Sequence, residues 1–533
     1  MRVPGDYGLA ISYYFCTMMP MFSSPSPLPE SRQELVKIID SLTTKNEQLQ
    51  EKVRWFEEQF HLARHKQYGA SKERTLKQQG DLFNEAESIA EQGPVEEAIR
   101  QKITYERKKP GRKPIPKNLP IERIEYRLPE EEQTCTACGG PLHEMSEELR
   151  HEVKLIPAQV KIVQHARYVY GCRNCEKNGI EVPIKIAKAP RPMIEKGLAS
   201  PSAAAYVMTM KFVEGVPLYR QEQHYARLGI DLSRGVLSNW MLKGSEWLEL
   251  IYGRLKQKLL EQEVLHADET TLQVLKEPGR AAESKSYIWL YRTGSIGPPI
   301  VLFEYQPSRA AEHPRRFLEG FKGYLQVDGY AGYHDIPDVN LAGCWAHFRR
   351  KFDEALKGLP PQKRKSGRKA REALDRINRL FAIERKLKQC TPEERLKERE
   401  LKSRSVVEEL RKWLDEVSTL VLPKSLLGSA VNYGRQQWPK LVRFLEDGRI
   451  ELDNNRAERS IKPFVIGRKN WLFANTPRGA KASAVVYSIV ESAKENGLNP
   501  YSYLTYLFEK LPNLDSRDDE TLDQLLPWNV ILQ

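Results

Sequence analysis

The chain has 533 residues, too many for one hydrophobic core, and typical domain sizes divide such a length into roughly three or four units. Lysine and arginine outnumber aspartate and glutamate by 84 to 71, a net charge of +13 that suits a polyanionic partner such as nucleic acid. Hydrophobic residues make up 40%, and no apolar run is long enough to span a bilayer, so the membrane classes are set aside.

Residues 1–30 read as a disordered leader. The apolar stretch Gly8 to Phe22 is interrupted by Tyr13, Tyr14 and Pro20, which makes a poor signal peptide, and Met18, Met19 and Met21 are alternative starts. From 31 to 62, Leu35, Leu42, Leu49 and Phe56 recur every seven residues, and Ile39, Asn46, Val53 and Phe60 fill the second register. That is a coiled-coil pattern through which copies of the chain would form a homo-oligomer, with Asn46 fixing register at a cost in stability. The alternative is an amphipathic helix packed on its own domain. Residues 63–118 form a linker, first acidic (Asp81, Glu85, Glu87, Glu91, Glu96, Glu97), then basic and proline-rich from Arg107 to Pro114. Such a composition builds no core.

Residues 119–190 carry two Cys-x-x-Cys pairs, Cys135 with Cys138 and Cys172 with Cys175, each beside a glycine. Two such knuckles make a closed tetrahedral zinc site of four thiolates, flanked by strand-like segments at Ile121 to Leu128 and Lys154 to Val169. His143 and His151 lack the close spacing of substitute ligands. The same cysteine usage suits a reducing compartment, and a cytoplasmic location follows.

Residues 195–260 are helical in pattern, and Arg220 to Lys243 reads as helix, Gly229 turn, helix, with Ser233 as cap. As a helix-turn-helix this would turn Arg234, Ser238 and Asn239 to a DNA groove; a plain three-helix packing element has the same pattern. After Glu261 the period becomes strand-like, at 263–268, 286–291, 300–304 and 323–328, which with later helices gives an α/β domain. Its first part is expected over 261–356 and its second over 422–498. A charge-dense helical insertion fills 357–421, with helices from Arg368 to Lys388 and Glu393 to Asp415, and residues 499–533 form a tail.

Three carboxylates stand out by context. Asp268 and Asp328 each end an apolar strand, and Gly329 lets the chain leave the sheet and a substrate backbone approach. Glu458 follows Asp453 and Asn454, either of which can cap a helix, so that Glu458 and Lys462 lie one turn apart on one face. Two-metal phosphoryl chemistry needs hard oxygen ligands converging from separate elements. Cys344-Trp345-Ala346-His347 opens another helix. Its preferred reading packs Cys344 and Trp345 inside while His347 and Arg349 reach the DNA backbone; a metal role for Cys344 and His347 is the alternative.

The zipper-like N-terminus, the four-cysteine region, His266-Ala267-Asp268-Glu269-Thr270, Val327-Asp328-Gly329-Tyr330, Cys344 to His347, Asp453 to Pro463 and the ending Leu525-Leu526-Pro527-Trp528 resemble the transposases of the insertion sequence sixty-six family. The resemblance covers nearly the whole chain from the heptads onward. It implies a multidomain α/β protein whose RNase H-like core carries a helical insertion before the last carboxylate. It also implies Asp268, Asp328 and Glu458 as ligands of Mg2+ or Mn2+, a DNA substrate comprising element ends and target, and strand cleavage followed by strand transfer. Small accessory transposition proteins are further partners that many family elements carry. Some transposase families place a basic residue seven positions after the glutamate. Here that position is Val465, which leaves Lys462, Arg468 and Lys469 as phosphate contacts. Glu269 and Glu491 are the alternatives for the third carboxylate. The rival functions are a zinc-containing DNA-binding regulator without catalysis, and an RNase H-like nuclease that cuts without joining.

Overall fold

The structure is a computed structural model that describes residues 32–68, 159–170, 185–360 and 367–532. The leader, most of the linker and the four cysteines Cys135, Cys138, Cys172 and Cys175 lie outside the described residues, as does the strand expected from Ile121 to Leu128.

The heptad segment is one helix, α1 (Arg32–Tyr68), which runs past residue 62 into the expected linker. Its seam residues Ile39, Leu42, Leu49, Val53, Phe56 and Phe60 are all exposed, the state of a helix face that packs on none of the other described residues. Among the described residues its later part meets the body: Leu62 is buried, and Glu58 Oε2 accepts a hydrogen bond from the Leu426 amide at 3.1 Å. Beyond the linker, β1 (Val169–Tyr170) and β2 (Lys185–Ile186) make a two-residue antiparallel ribbon. Residues 159–168, expected as strand, have no regular structure. Ile162, Val163 and Tyr168 are exposed there, and among the described residues no layer lies beneath to reward a pleat.

Three helices follow: α2 (Pro201–Phe212), α3 (Leu218–Arg227) and α4 (Arg234–Leu260). Gly229 makes the turn between α3 and α4 at φ +87°, where a side chain would be strained, and Ser233 Oγ accepts from the Val236 amide to cap α4. Leu237, Trp240, Met241, Leu248, Ile251, Leu255 and Leu259 form the buried stripe of α4, which runs on well beyond the expected turn-helix unit.

Next come β3 (Val264–Gln273), β4 (Lys285–Thr293) and β5 (Val301–Gln306), then α5 (Glu312–Phe317), β6 (Gly323–Val327) and β7 (Val339–Gly343). They form one five-stranded sheet in the order β5-β4-β3-β6-β7, antiparallel among the first three and parallel from β3 to β7. This is the expected RNase H-like core. After β7 the chain continues through α6 (Trp345–Lys357), α7 (Arg368–Lys386), α8 (Pro392–Lys402), α9 (Arg404–Ser418) and α10 (Leu426–Leu441), then α11 (Asn455–Trp471), α12 (Pro477–Glu495), α13 (Pro500–Lys510) and α14 (Asp519–Asp523).

The described residues form two hydrophobic cores. One joins the sheet to α2–α4 and α11–α13; the other gathers Trp345, Phe348 and Phe352 of α6 with Leu380 of α7, Leu410 and Trp413 of α9 and Val431 of α10. The sequence expectation returned the chain to the sheet near 422. Instead α10 stays with the insertion, because Ala430 and Val431 bury against that core and Gly434 admits Phe348, whose ring a β-carbon would meet at 2.4 Å. The return to the sheet comes at α11. On the outer edge, β5 is covered by α12: Ser492 and Ser488 hydroxyls accept from the amides of Val301 (3.0 Å) and Phe303 (2.8 Å), which blunts a strand edge open to aggregation. The tail, residues 499–532, is docked on the body: Leu525 and Leu526 are buried and Arg254 of α4 donates to Asp523 at 2.7 Å. Among the described residues, no helix is long and apolar enough to cross a membrane.

Candidate active site

The central strand β3 is buried from Val264 through Ala267, and Asp268 is the first of its residues to regain some access to solvent. His266 pairs in register with Gln326 of the parallel neighbour β6. Two residues further along both chains stand Asp268 and Asp328, so the parallel register alone sets the two carboxylates side by side. Asp328 Oδ1 accepts from the Tyr330 amide at 2.8 Å, which turns the chain away from the sheet. Gly329 is needed here for a protein group: a β-carbon would lie 2.8 Å from the Tyr433 ring.

The third carboxylate arrives on α11. Asn454, fully buried at its start, ties three elements together: Nδ2 donates to the Ala267 carbonyl (2.8 Å), Oδ1 faces His266 Nδ1 (2.9 Å), and the backbone amide donates to Cys344 Sγ (3.2 Å). Because Asn454 Nδ2 is engaged as donor, Oδ1 is the acceptor and His266 Nδ1 carries the proton. Burial pushes His266 down to about 4, so the imidazole is neutral at pH 7. The N-cap of this helix is Asn454, whose side chain makes no cap bond, and just ahead of it Asp453 Oδ1 accepts from the Asn455 amide at 2.9 Å. One turn on, Glu458 lands beside the two aspartates.

The electrostatics of this cluster are unfavourable as it stands. Burial raises Asp268 well above the usual carboxylate range, and the charges of Glu269, Glu458 and Asp328 add to it. Glu458 is raised for the same reasons, first burial and then Asp328, against the opposing charge of Arg350. It is only 4% exposed, and neither oxygen has a hydrogen-bond partner. His347 Nδ1 at 3.6 Å and Arg350 Nη2 at 3.7 Å are near but beyond hydrogen-bonding distance. Desolvated carboxylate oxygens with no donors are the donor set that a hard divalent cation fits. The ligand atoms of Cys344, His347 and Glu458 all lie within 4.8 Å of one another.

The alternative carboxylates are otherwise employed. Glu269 accepts from Arg309 Nε (2.8 Å) and from Tyr333 (2.6 Å). Glu491 is paired with Lys494 at 2.9 Å, and none of the three carboxylates is among the charges that act on it. Trp345 and Cys344 are buried as the sequence suggests. Arg349 is not at a DNA-facing position: it is 3% exposed and donates to Asn378 at 2.9 Å. On α6, Arg349 shares a face with Trp345 and Phe352, whereas His347 and Arg350, three apart, share the face towards Glu458. That helical spacing was the signal by which Arg350 could have been chosen. Lys462 is half-buried, Lys469 is exposed, and Arg468 donates to Thr271 on β3 at 3.1 Å. On α4, Asn239 is exposed and Ser238 half-buried, while Arg234 pairs with Glu222 at 3.1 Å.

Residues 196–482 match the family described as Transposase IS66 family, and residues 488–528 match the IS66 C-terminal element. Residues 132–176 match the zinc-finger binding domain of transposase IS66, and residues 55–124 match Transposase C of IS166 homeodomain. Among curated proteins, three from Sinorhizobium fredii (strain NBRC 101917 / NGR234) are similar, each bearing the name of an uncharacterized protein. The one called y4jD is 33% identical over 431 residues, 78% of this chain and 81% of its own length. The one called y4hP is 30% identical, covering 80% and 78%, and y4qI is 31% identical, covering 79% and 78%. No solved structure matches the chain.

Proposed function

The chain belongs to the IS66 transposase family and is a DNA transposase of the DDE type, and from that premise we propose that Asp268, Asp328 and Glu458 are its catalytic carboxylates. The observation that carries the proposal is their convergence from β3, the end of β6 and the start of α11, with Glu458 buried and without a donor. These three would hold a pair of Mg2+ or Mn2+ ions. Bound there, the ions would supply Lewis-acid activation of the attacking hydroxyl and charge neutralisation at the leaving oxygen. The chain's own work is positional. Asn454, fixed by neutral His266 and the Ala267 carbonyl, sets the depth of Glu458, and Arg350 limits the repulsion among the carboxylates.

The substrate is the terminal inverted repeats of the mobile element, with target DNA as the second reactant. Cleavage frees a 3′ hydroxyl, and strand transfer joins it to the target. Both are in-line displacements at phosphorus. Lys462, Lys469 and His347 would contact phosphates near the carboxylates, with Arg468 at the far end of β3. The region 195–260, through Arg234, Ser238 and Asn239, would contact DNA at a distance from the chemistry. The module 119–190 would hold one structural zinc on Cys135, Cys138, Cys172 and Cys175. The exposed seam of α1 would pair with the same helix of a second copy.

The test uses labelled element ends and the full-length protein. Magnesium or manganese should give nicked and then joined products, whereas calcium should permit end binding with little chemistry. Cut ends that are never joined to a target would reduce the protein to a nuclease, and no cutting with either supporting ion would overturn the assignment.

A further inference from the structure

The Cys-x-x-His pair that opens α6 has no part in the proposed chemistry beyond a phosphate contact from His347. Its surroundings are unusual. Asn454, by donating to Cys344 Sγ, brings the start of α11 against the start of α6, so that a sulfur, an imidazole nitrogen and a carboxylate oxygen face one another within 4.8 Å. His347 Nδ1 and Glu458 Oε1 are 3.6 Å apart. Tetrahedral zinc, with bonds of about 2.0–2.3 Å, separates its ligand atoms by roughly 3.3–3.7 Å. His347 Nδ1 and both Glu458 oxygens are buried without a hydrogen-bond partner, although each could take one. The backbone amide on Cys344 Sγ is the kind of contact that supports a metal-bound thiolate.

We propose that Cys344, His347 and Glu458 form a zinc site distinct from the four-cysteine module, and that zinc bound there inhibits the transposase by withdrawing Glu458 from the magnesium pair. The donor set argues for zinc: one thiolate and one imidazole suit a borderline-soft cation, and magnesium has little use for either. Binding displaces the Cys344 proton to solvent. Three protein ligands leave the fourth position open, as in sites that exchange their metal. A carboxylate committed to this ion cannot also neutralise the catalytic pair, and zinc outcompetes magnesium for nitrogen and sulfur donors at far lower concentration. His347 bound to zinc is also lost to phosphate. The inhibitory half of the proposal rests on Glu458 being the third catalytic carboxylate; the binding half does not.

The experiment titrates cobalt into full-length protein that already carries its structural zinc. One further equivalent should bind, with a near-ultraviolet charge-transfer band of single-thiolate intensity, and both should vanish in Cys344→Ser and weaken in His347→Gln. Under magnesium, added zinc should inhibit end cleavage in the wild type, with an inhibition constant at least about tenfold weaker in Cys344→Ser, each protein being scaled to its own zinc-free rate. A wild-type titration with no extra equivalent or no thiolate band overturns the site without recourse to any variant. An extra equivalent with equal zinc inhibition in wild type and Cys344→Ser overturns the competition. If Glu458→Gln retains cleavage, it is the catalytic assignment that fails, and the cobalt band of the wild type still decides the site.

Discussion

Two of the places where the described residues bury charge treat it in opposite ways. In the insertion, Arg399 of α8 is fully buried with every donor used. Nε and Nη2 grip Glu384 at 2.8 Å each, Nη1 donates to the carbonyls of Phe444 (2.7 Å) and Asp447 (3.1 Å), and Nη2 reaches Ile450 (2.9 Å). Beside the sheet, Asp268 and Glu458 are pushed towards protonation, and Glu458 has no donor at all. A guanidinium matched bond for bond completes the fold and asks for nothing further. Buried carboxylates left unmatched are a debt that the chain itself does not settle, and they mark the place where something from outside must bind. The two are also linked in the chain, since the loop that Arg399 holds leads directly to Asp453 and Asn454.

The contrast breaks most visibly through catalysis. Asp268→Asn, Asp328→Asn and Glu458→Gln should each cut cleavage and strand transfer by on the order of 10^3-fold or more, with end binding kept, and pairs of them should cost hardly more than one. In the same proteins thermal stability without metal should hold or rise, because a strained charge has been removed, and the stabilisation that magnesium gives the wild type should disappear. A clear loss of metal-free stability would mean that these carboxylates serve the fold.

Arg399→Ala should show the reverse. Removing one partner takes the donors from the Phe444 and Ile450 carbonyls and the partner from the partly buried Glu384, and the loss should be about 3–5 kcal/mol in chemical denaturation. Arg399→Met, which fills the space, should recover part of it. A variant as stable as the parent would deny that the matched cluster is structural.

A smaller effect separates the two through pH. His266 titrates at about 4 in the folded chain against roughly 6.5 when unfolded, so between these values the unfolded chain binds the proton first. Stability from this group is therefore complete above about 6.5, is lost as pH falls towards 4, and changes no further below; the loss is on the order of 3 kcal/mol. Comparing the acid limb of wild type with His266→Gln isolates it, and identical limbs would contradict the neutral clamp at Asn454.

By itself the sequence determined what depends on near neighbours. The strands that lead to Asp268 and Asp328, the heptads of α1, the helices of the insertion and the helix start before Glu458 were legible, because these signals act within a few residues. The resemblance of the motifs supplied the chemistry for which such elements serve. Tertiary structure decided the rest. Which arginine of α6 faces Glu458 depends on what the other face packs against, and Arg349 was lost to Asn378 for that reason. The allegiance of α10 was set by the fit of Phe348 against Gly434, a contact 86 residues apart in sequence. The meeting of Cys344, His347 and Glu458 needed the Asn454 bridge across 110 residues. Local periodicity states that a side chain points to one face of its helix or strand; only the packing of distant segments determines what waits on that face.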